Sequence, residues 1–180
     1  THYLDITGEI DVFRNVAGFD EAAEDAEVML MSGVGFDVVP TDCLAAHLHD
    51  RLPDATELTL AFDGVGSASA GTTRTMLRGL DDGGAVRRNG AIERVPLAAD
   101  TRSVDFGDGP RETVTIPWGD VSTAYHTTGI PNVTVYMAMP PSAIRRMRYL
   151  RYLTPILGLG PVRRLVERLA VDEYEGPTAT

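Results

Sequence analysis

The run Glu27-Val28-Met29-Leu30-Met31 leads straight into Ser32-Gly33-Val34-Gly35-Phe36-Asp37, with Pro40-Thr41-Asp42 just beyond. An apolar run without alternation is the pattern of a buried strand in a parallel sheet, covered on both faces. The glycine turn then opens onto a helix, expected to run from Pro40 to about Leu52, with Pro40 in its first turn. Upstream, residues 2–6 form another β-rich run that stops at Thr7-Gly8-Glu9. Residues 10–23 then place Ile10, Phe13, Val16 and Ala17 at helical spacing, and Gly18 is expected to interrupt or split that helix. Strand, helix, strand, turn and helix is α/β organisation. Because His2-Tyr3-Leu4-Asp5-Ile6 reads as a strand already in progress, the sequence is expected to open partway through such a domain.

After Pro53 the texture changes to strands and turns. Residues 57–63 alternate, with Leu58, Leu60 and Phe62 on one side, as in a half-buried strand. A short helix is expected over 72–80. The pair Asn89-Gly90 between residues 85–88 and 91–95 is a strong hairpin signal. Further strands are expected over 102–106, 112–116 and 133–139, giving a mixed, mostly antiparallel sheet of about five or six strands with helices on one face. The fold class is therefore α/β (α+β) in three parts: residues 1–52, 53–141 and 142–180. The last part reads as helical to residue 170, with a break near Gly158-Leu159-Gly160-Pro161.

Charge excludes some partners. The net charge is −10, and all sixteen basic residues are Arg. Such a chain repels the phosphate backbone of nucleic acid. Acidic surface without Lys fits a halophilic source, although a GC-rich genome also favours Arg. Arg145, Arg146, Arg148, Arg151, Arg163, Arg164 and Arg168 fall between residues 142 and 170 with only Glu167 against them. Interleaved with Met147, Leu150, Leu153 and Ile156, they suggest either weak contact with an anionic membrane surface or a helix packed on the acidic body. No apolar run is long enough to span a membrane and no secretory signal is visible. The lone Cys43 excludes an internal disulfide, fits a reducing cytoplasm and reads as an inert buried thiol.

Several motifs bear on chemistry. Gly33-Val34-Gly35 is not the dinucleotide fingerprint, since position 38 is Val; by itself it reads as structural rather than as a phosphate cradle. Even so, Thr7-Gly8-Glu9 and Gly35-Phe36-Asp37 both follow strands, where α/β sheets bind ligands, and the two loops are expected to face one crevice. His47 and His49 lie two apart on a helix and point to different faces, so no metal site is expected. No Gly-x-Ser-x-Gly elbow is present. The segment from Pro117 to Asn132 is dense in hydrogen-bonding groups. It reads equally as a source of proton donors or substrate ligands, through Tyr125 and His126, and as a helix capped by Asp120 and ended by Gly129.

Taken together, Tyr3-Leu4-Asp5-Ile6-Thr7-Gly8-Glu9 and Gly35-Phe36-Asp37-Val38-Val39-Pro40-Thr41-Asp42 resemble the saccharopine dehydrogenase-like oxidoreductases. That group includes saccharopine reductases and trans-acting enoyl reductases. Ala68-Ser69-Ala70-Gly71-Thr72, Pro117-Trp118-Gly119-Asp120 and Thr128-Gly129-Ile130-Pro131-Asn132 extend the likeness along nearly the whole chain. The resemblance implies an NAD(P)-binding Rossmann domain whose last strands are residues 1–52, joined to a substrate and homodimerisation domain. It places Thr7, Gly8, Glu9, Gly35 and Phe36 near the nicotinamide, with Asp37, Tyr125 and His126 as candidate catalytic groups. The glycine fingerprint would lie in a preceding cofactor domain, so the isolated chain is expected to bind no cofactor and to be inactive.

Overall fold

The computed structural model describes residues 1–63, 83–150 and 152. The chain is α+β; its described residues form two sheets and five helices. The small sheet pairs β1 (Tyr3–Leu4) with β2 (Leu30–Met31) in parallel. Between them lie α1 (Ile10–Ala17) and α2 (Asp20–Asp25), which divide at Gly18-Phe19 as the glycine suggests. Helix α3 (Val39–Arg51) follows β2, with Pro40 in its first turn.

The six-stranded sheet is built from β3 (Glu57–Asp63), β4 (Gly84–Arg88), β5 (Ala91–Val95), β6 (Thr101–Asp105), β7 (Pro110–Thr115) and β8 (Asn132–Ala138). Strand β8 is its centre. β3 runs parallel to it over all seven residues, from Glu57↔Asn132 to Asp63↔Ala138. That occupies one edge of β8, and the other takes antiparallel β7 from Thr115↔Tyr136 and β4 at Arg87↔Val133. The β4–β5 hairpin turns at Asn89-Gly90, with φ of 48° and 81°, the paired left-handed conformations of a turn that matches strand twist.

Helix α4 (Asp120–Thr128) connects β7 to β8, and α5 (Pro141–Leu150) follows β8. Gly129 ends α4 in the left-handed region, its N–H bonded to the Tyr125 carbonyl. α1 and α3 both pack on α4. The main core lies between these helices and the sheet: Leu58, Leu60, Ile116, Val133 and Val135 meet Ala45, Val121, Ala124 and Ile130. A second cluster joins Ala98 and Val114 to Ile144 of α5. Each fully buried valine here contributes roughly 1.5–2 kcal/mol.

Four expectations need correction. The run at 27–31 is not buried: Met29 is 42% and Met31 45% exposed, because the described residues put no second layer over the β1–β2 pair. The spacing of Leu44, His47, Leu48 and Arg51 predicts an apolar stripe on α3, yet Leu44 and Leu48 face solvent and Ala45 is the buried one. Cys43 lies on the same outward side and is exposed. Asp120 does not cap α4 from outside. It is the first residue of the helix, Gly119 occupies the cap position, and no side chain caps it. The helix expected over 72–80 and everything beyond Tyr152, including most of the Arg-rich segment, lie outside the described residues. Among those residues, no helix is long and apolar enough to cross a membrane.

Candidate functional site

The loops that follow β1 and β2 meet each other and the segment entering α4. The knot that ties the first two is Asp5, at the end of β1. Its Oδ1 accepts the backbone N–H groups of Thr7 at 2.9 Å and Gly33 at 3.0 Å, and its Oδ2 accepts the Ser32 hydroxyl at 3.1 Å. Burial by itself would raise this carboxyl; the N–H groups of Thr7 and Gly33, with Tyr3 and Ser32, outweigh it and hold the pKa below the ordinary value. Asp5 was not singled out as a site residue from the sequence. Its signal is Asp-x-Thr, an acid that closes an Asx turn on the amide two residues later. The Thr7 hydroxyl then accepts the N–H of Glu9, where α1 begins.

Gly8 and Asp37 touch: a methyl added at Gly8 would lie 3.3 Å from the Asp37 Cβ. The indole N–H of Trp118 crosses to the Asp37 carbonyl, and its ring packs on Phe62 at 5.1 Å between centroids. Gly119 is the tightest point. A Cβ there would fall 2.8 Å from the Phe13 ring, 2.9 Å from a Val38 methyl and 3.1 Å from the Gly8 carbonyl oxygen. The beginnings of α1, α3 and α4 therefore converge on one cluster made from Gly8, Asp37, Val38, Trp118 and Gly119. The Gly119→Ala variant is expected to lose about 1–3 kcal/mol of stability through overpacking. Thermal unfolding read by fluorescence of Trp118, the sole tryptophan, checks this, and an unchanged midpoint would refute the packing argument.

Behind the cluster, the carboxyl of Asp120 is fully buried. Its Oδ1 lies 2.5 Å from the Thr41 hydroxyl of α3, and its Oδ2 is buried with no partner. Burial pushes this carboxyl up to about 6; the Thr41 hydrogen bond and its own backbone N–H oppose the rise, and the charge of Asp42 adds to it. Asp42 accepts the Thr127 hydroxyl at 2.6 Å through one oxygen, and its other oxygen is buried and unpartnered.

The residues expected at the site divide into two groups. Thr7, Gly8 and Asp37 are brought together, Gly35 lies against Ile6, and Glu9 is at the exposed rim. Phe36 projects into solvent, 85% exposed. Tyr125 and His126 are elsewhere. Five residues of helix carry Tyr125 about 7.5 Å along α4 from Asp120. There the guanidinium of Arg87 lies 4.3 Å above its ring, and His126 meets it edge-on at 5.9 Å. Arg87 is itself 6% exposed and donates to the carbonyls of Val121 and Gly90, at 2.8 and 2.5 Å. Tyr125 thus belongs to the contact between α4 and the β4–β5 hairpin. Among the described residues, no group of three or more His, Cys, Asp or Glu is placed to hold a metal ion.

The loop cluster offers a backbone-lined corner at the C-terminal ends of two parallel strands, three helix starts behind it and one indole across it. That arrangement suits a polar, extended ligand laid against backbone groups rather than a side-chain nucleophile. A scan against protein-family models and a search of curated proteins both gave no match.

Proposed function

We propose that this chain is the C-terminal part of an NAD(P)-dependent oxidoreductase of saccharopine dehydrogenase type, acting by hydride transfer on a small or lipid-like substrate. The observation that carries the reading is the meeting of the Thr7-Gly8 and Gly35-Phe36-Asp37 loops beyond the carboxyl ends of β1 and β2, where open parallel sheets bind ligands. The apolar residues left bare on the β1–β2 pair, among them Leu4, Met29 and Met31, support a further sheet and cofactor domain packed there, since parallel strands ordinarily carry cover on both faces. In this reading the nicotinamide ring supplies the hydride chemistry. The chain's own groups line the corner between the loops: Gly8 allows close backbone approach, and Trp118 fixes the Asp37 loop. Tyr125 lies at the hairpin contact and His126 beside it, away from the loop cluster, so this reading assigns them no catalytic role.

The test is NADPH binding by a full-length protein carrying this segment together with its preceding domain, followed by fluorescence titration. Saturable binding that weakens at least tenfold on Gly8→Val supports the reading. No binding by the full-length protein sinks it.

A further inference from the structure

The junction of α3 and α4 contains more acid than it has partners for. Asp120 Oδ2, Asp42 Oδ1 and the Thr123 hydroxyl are all buried there without a hydrogen-bond partner among the described residues. Buried polar atoms are rarely left unpaired, so three at one helix junction call for a reason. A neutral Asp120 carboxyl lowers the cost of leaving its Oδ2 unpaired, and proton counting at Thr41 points the same way. The Thr41 hydroxyl lies 3.0 Å from the Val38 carbonyl and 2.5 Å from Asp120 Oδ1. A hydroxyl has one proton and cannot donate to both. Both interactions are satisfied when Asp120 carries a proton: Asp120 O–H donates to Thr41, and Thr41 donates to Val38.

We propose that Asp120 is a proton switch joining the helix junction to the loop cluster. Protonated, it donates to Thr41 and leaves the Thr41 proton on the Val38 carbonyl; deprotonated, it is a buried anion facing Asp42 that takes the Thr41 proton, and the Val38 carbonyl loses its hydroxyl partner. Val38 is part of the relay and also touches the Gly119 position, so that loss reaches the cluster directly. Trp118 is two residues away and bonded to Asp37, and therefore reports on it. The charged and titratable groups on the packed elements are Asp42 and His49 on α3, Asp11 and Arg14 on α1, Arg87 on β4, Glu9 and Asp37 in the loops, and His126 on α4. Of these, Asp42 is the one whose charge bears on Asp120. Burial is what brings the ionisation close to neutrality, at about 6. The inference stands on the helix junction and is independent of the oxidoreductase reading.

The experiment follows Trp118 emission of the full chain from about pH 4 to about pH 8. The wild type is expected to show one transition with its midpoint near 6. Asp120→Asn keeps a donor towards Thr41 and is expected to abolish the transition. His49→Gln is the control for imidazole titration, which ordinarily falls nearby, and is expected to leave the midpoint in place. Thr41→Val removes the hydroxyl that stabilises the ionised carboxyl and is expected to raise the midpoint. A lowered midpoint in Thr41→Val, a transition surviving in Asp120→Asn, or one removed by His49→Gln overturns the proposal. Should Asp120→Asn fail to fold, carboxyl-carbon NMR of the wild type decides. One aspartate titrating near 6 is expected, and none titrating above the ordinary aspartate range overturns the switch.

Discussion

Arg87→Ala is expected to lower stability by about 3 kcal/mol, because it removes two charge-assisted hydrogen bonds and a desolvated cation–π interaction at once. The side chain holds the hairpin to α4: it donates to Gly90 in the turn and to Val121 in the helix, and it covers the ring of Tyr125. Its substitution leaves two carbonyls poorly satisfied beside a core that includes Val121, Ile92 and Val133. Burial lowers the Arg87 pKa, with Tyr125 opposing and nearby Arg14 adding to the fall, so the site is already an unfavourable one for charge. That moderates the loss without reversing it, because arginine stays protonated in proteins. Arg87→Lys keeps the charge but not the fork, and is expected to recover less than half of the loss. Urea unfolding at constant slope measures both; a loss below about 1 kcal/mol for the alanine variant would show that the guanidinium does little to hold the hairpin.

The second large effect is the dependence of stability on pH carried by Asp120. Its folded pKa of about 6 lies above the ordinary 3.8, so the folded protein binds this proton more tightly than the unfolded chain. The contribution is fully present below about 4, and it is lost as pH rises through about 6. A difference of about two units corresponds to roughly 3 kcal/mol. Asp120→Asn removes the ionisation. Relative to wild type, the variant is expected to gain stability progressively from pH 4 to 8, approaching roughly 3 kcal/mol. Comparing the two proteins cancels the contribution of Asp5, whose lowered pKa acts in the opposite direction. A stability difference that does not vary with pH would refute the linkage.

Much of the sheet was legible in the sequence because its signals are local. The Asn89-Gly90 pair demanded a hairpin, and the alternation at 57–63 reappears as buried Leu58 and Leu60. The remaining strands of the six-stranded sheet formed within two residues of the expected bounds, whereas the strand expected over 27–31 is confined to Leu30–Met31. The glycine at 18 split its helix, and Gly129 ended α4. The site was legible only in outline. The two post-strand loops do meet, but the acid that ties them is Asp5, and the third wall comes from Trp118 and Gly119, more than eighty residues away. Tyr125 and His126 stood out for their chemistry, yet chemistry alone does not say which way a helix turns them.

Helix α3 shows the division most clearly. Its existence, its start at Pro40 and its length followed from proline and periodicity, which act over a few residues. Which face it buries did not follow. Its apolar Leu44 and Leu48 point outward, while Ala45, Thr41 and Asp42 face α4. Small and polar side chains let two helices approach where bulky ones would hold them apart, and that choice depends on a partner 79 residues further on. Local sequence therefore determined the elements, their turns and their order. Only tertiary structure decided that Asp120 and Arg87 lie in the interior, because burial of a charge depends on what surrounds it rather than on its neighbours in the chain.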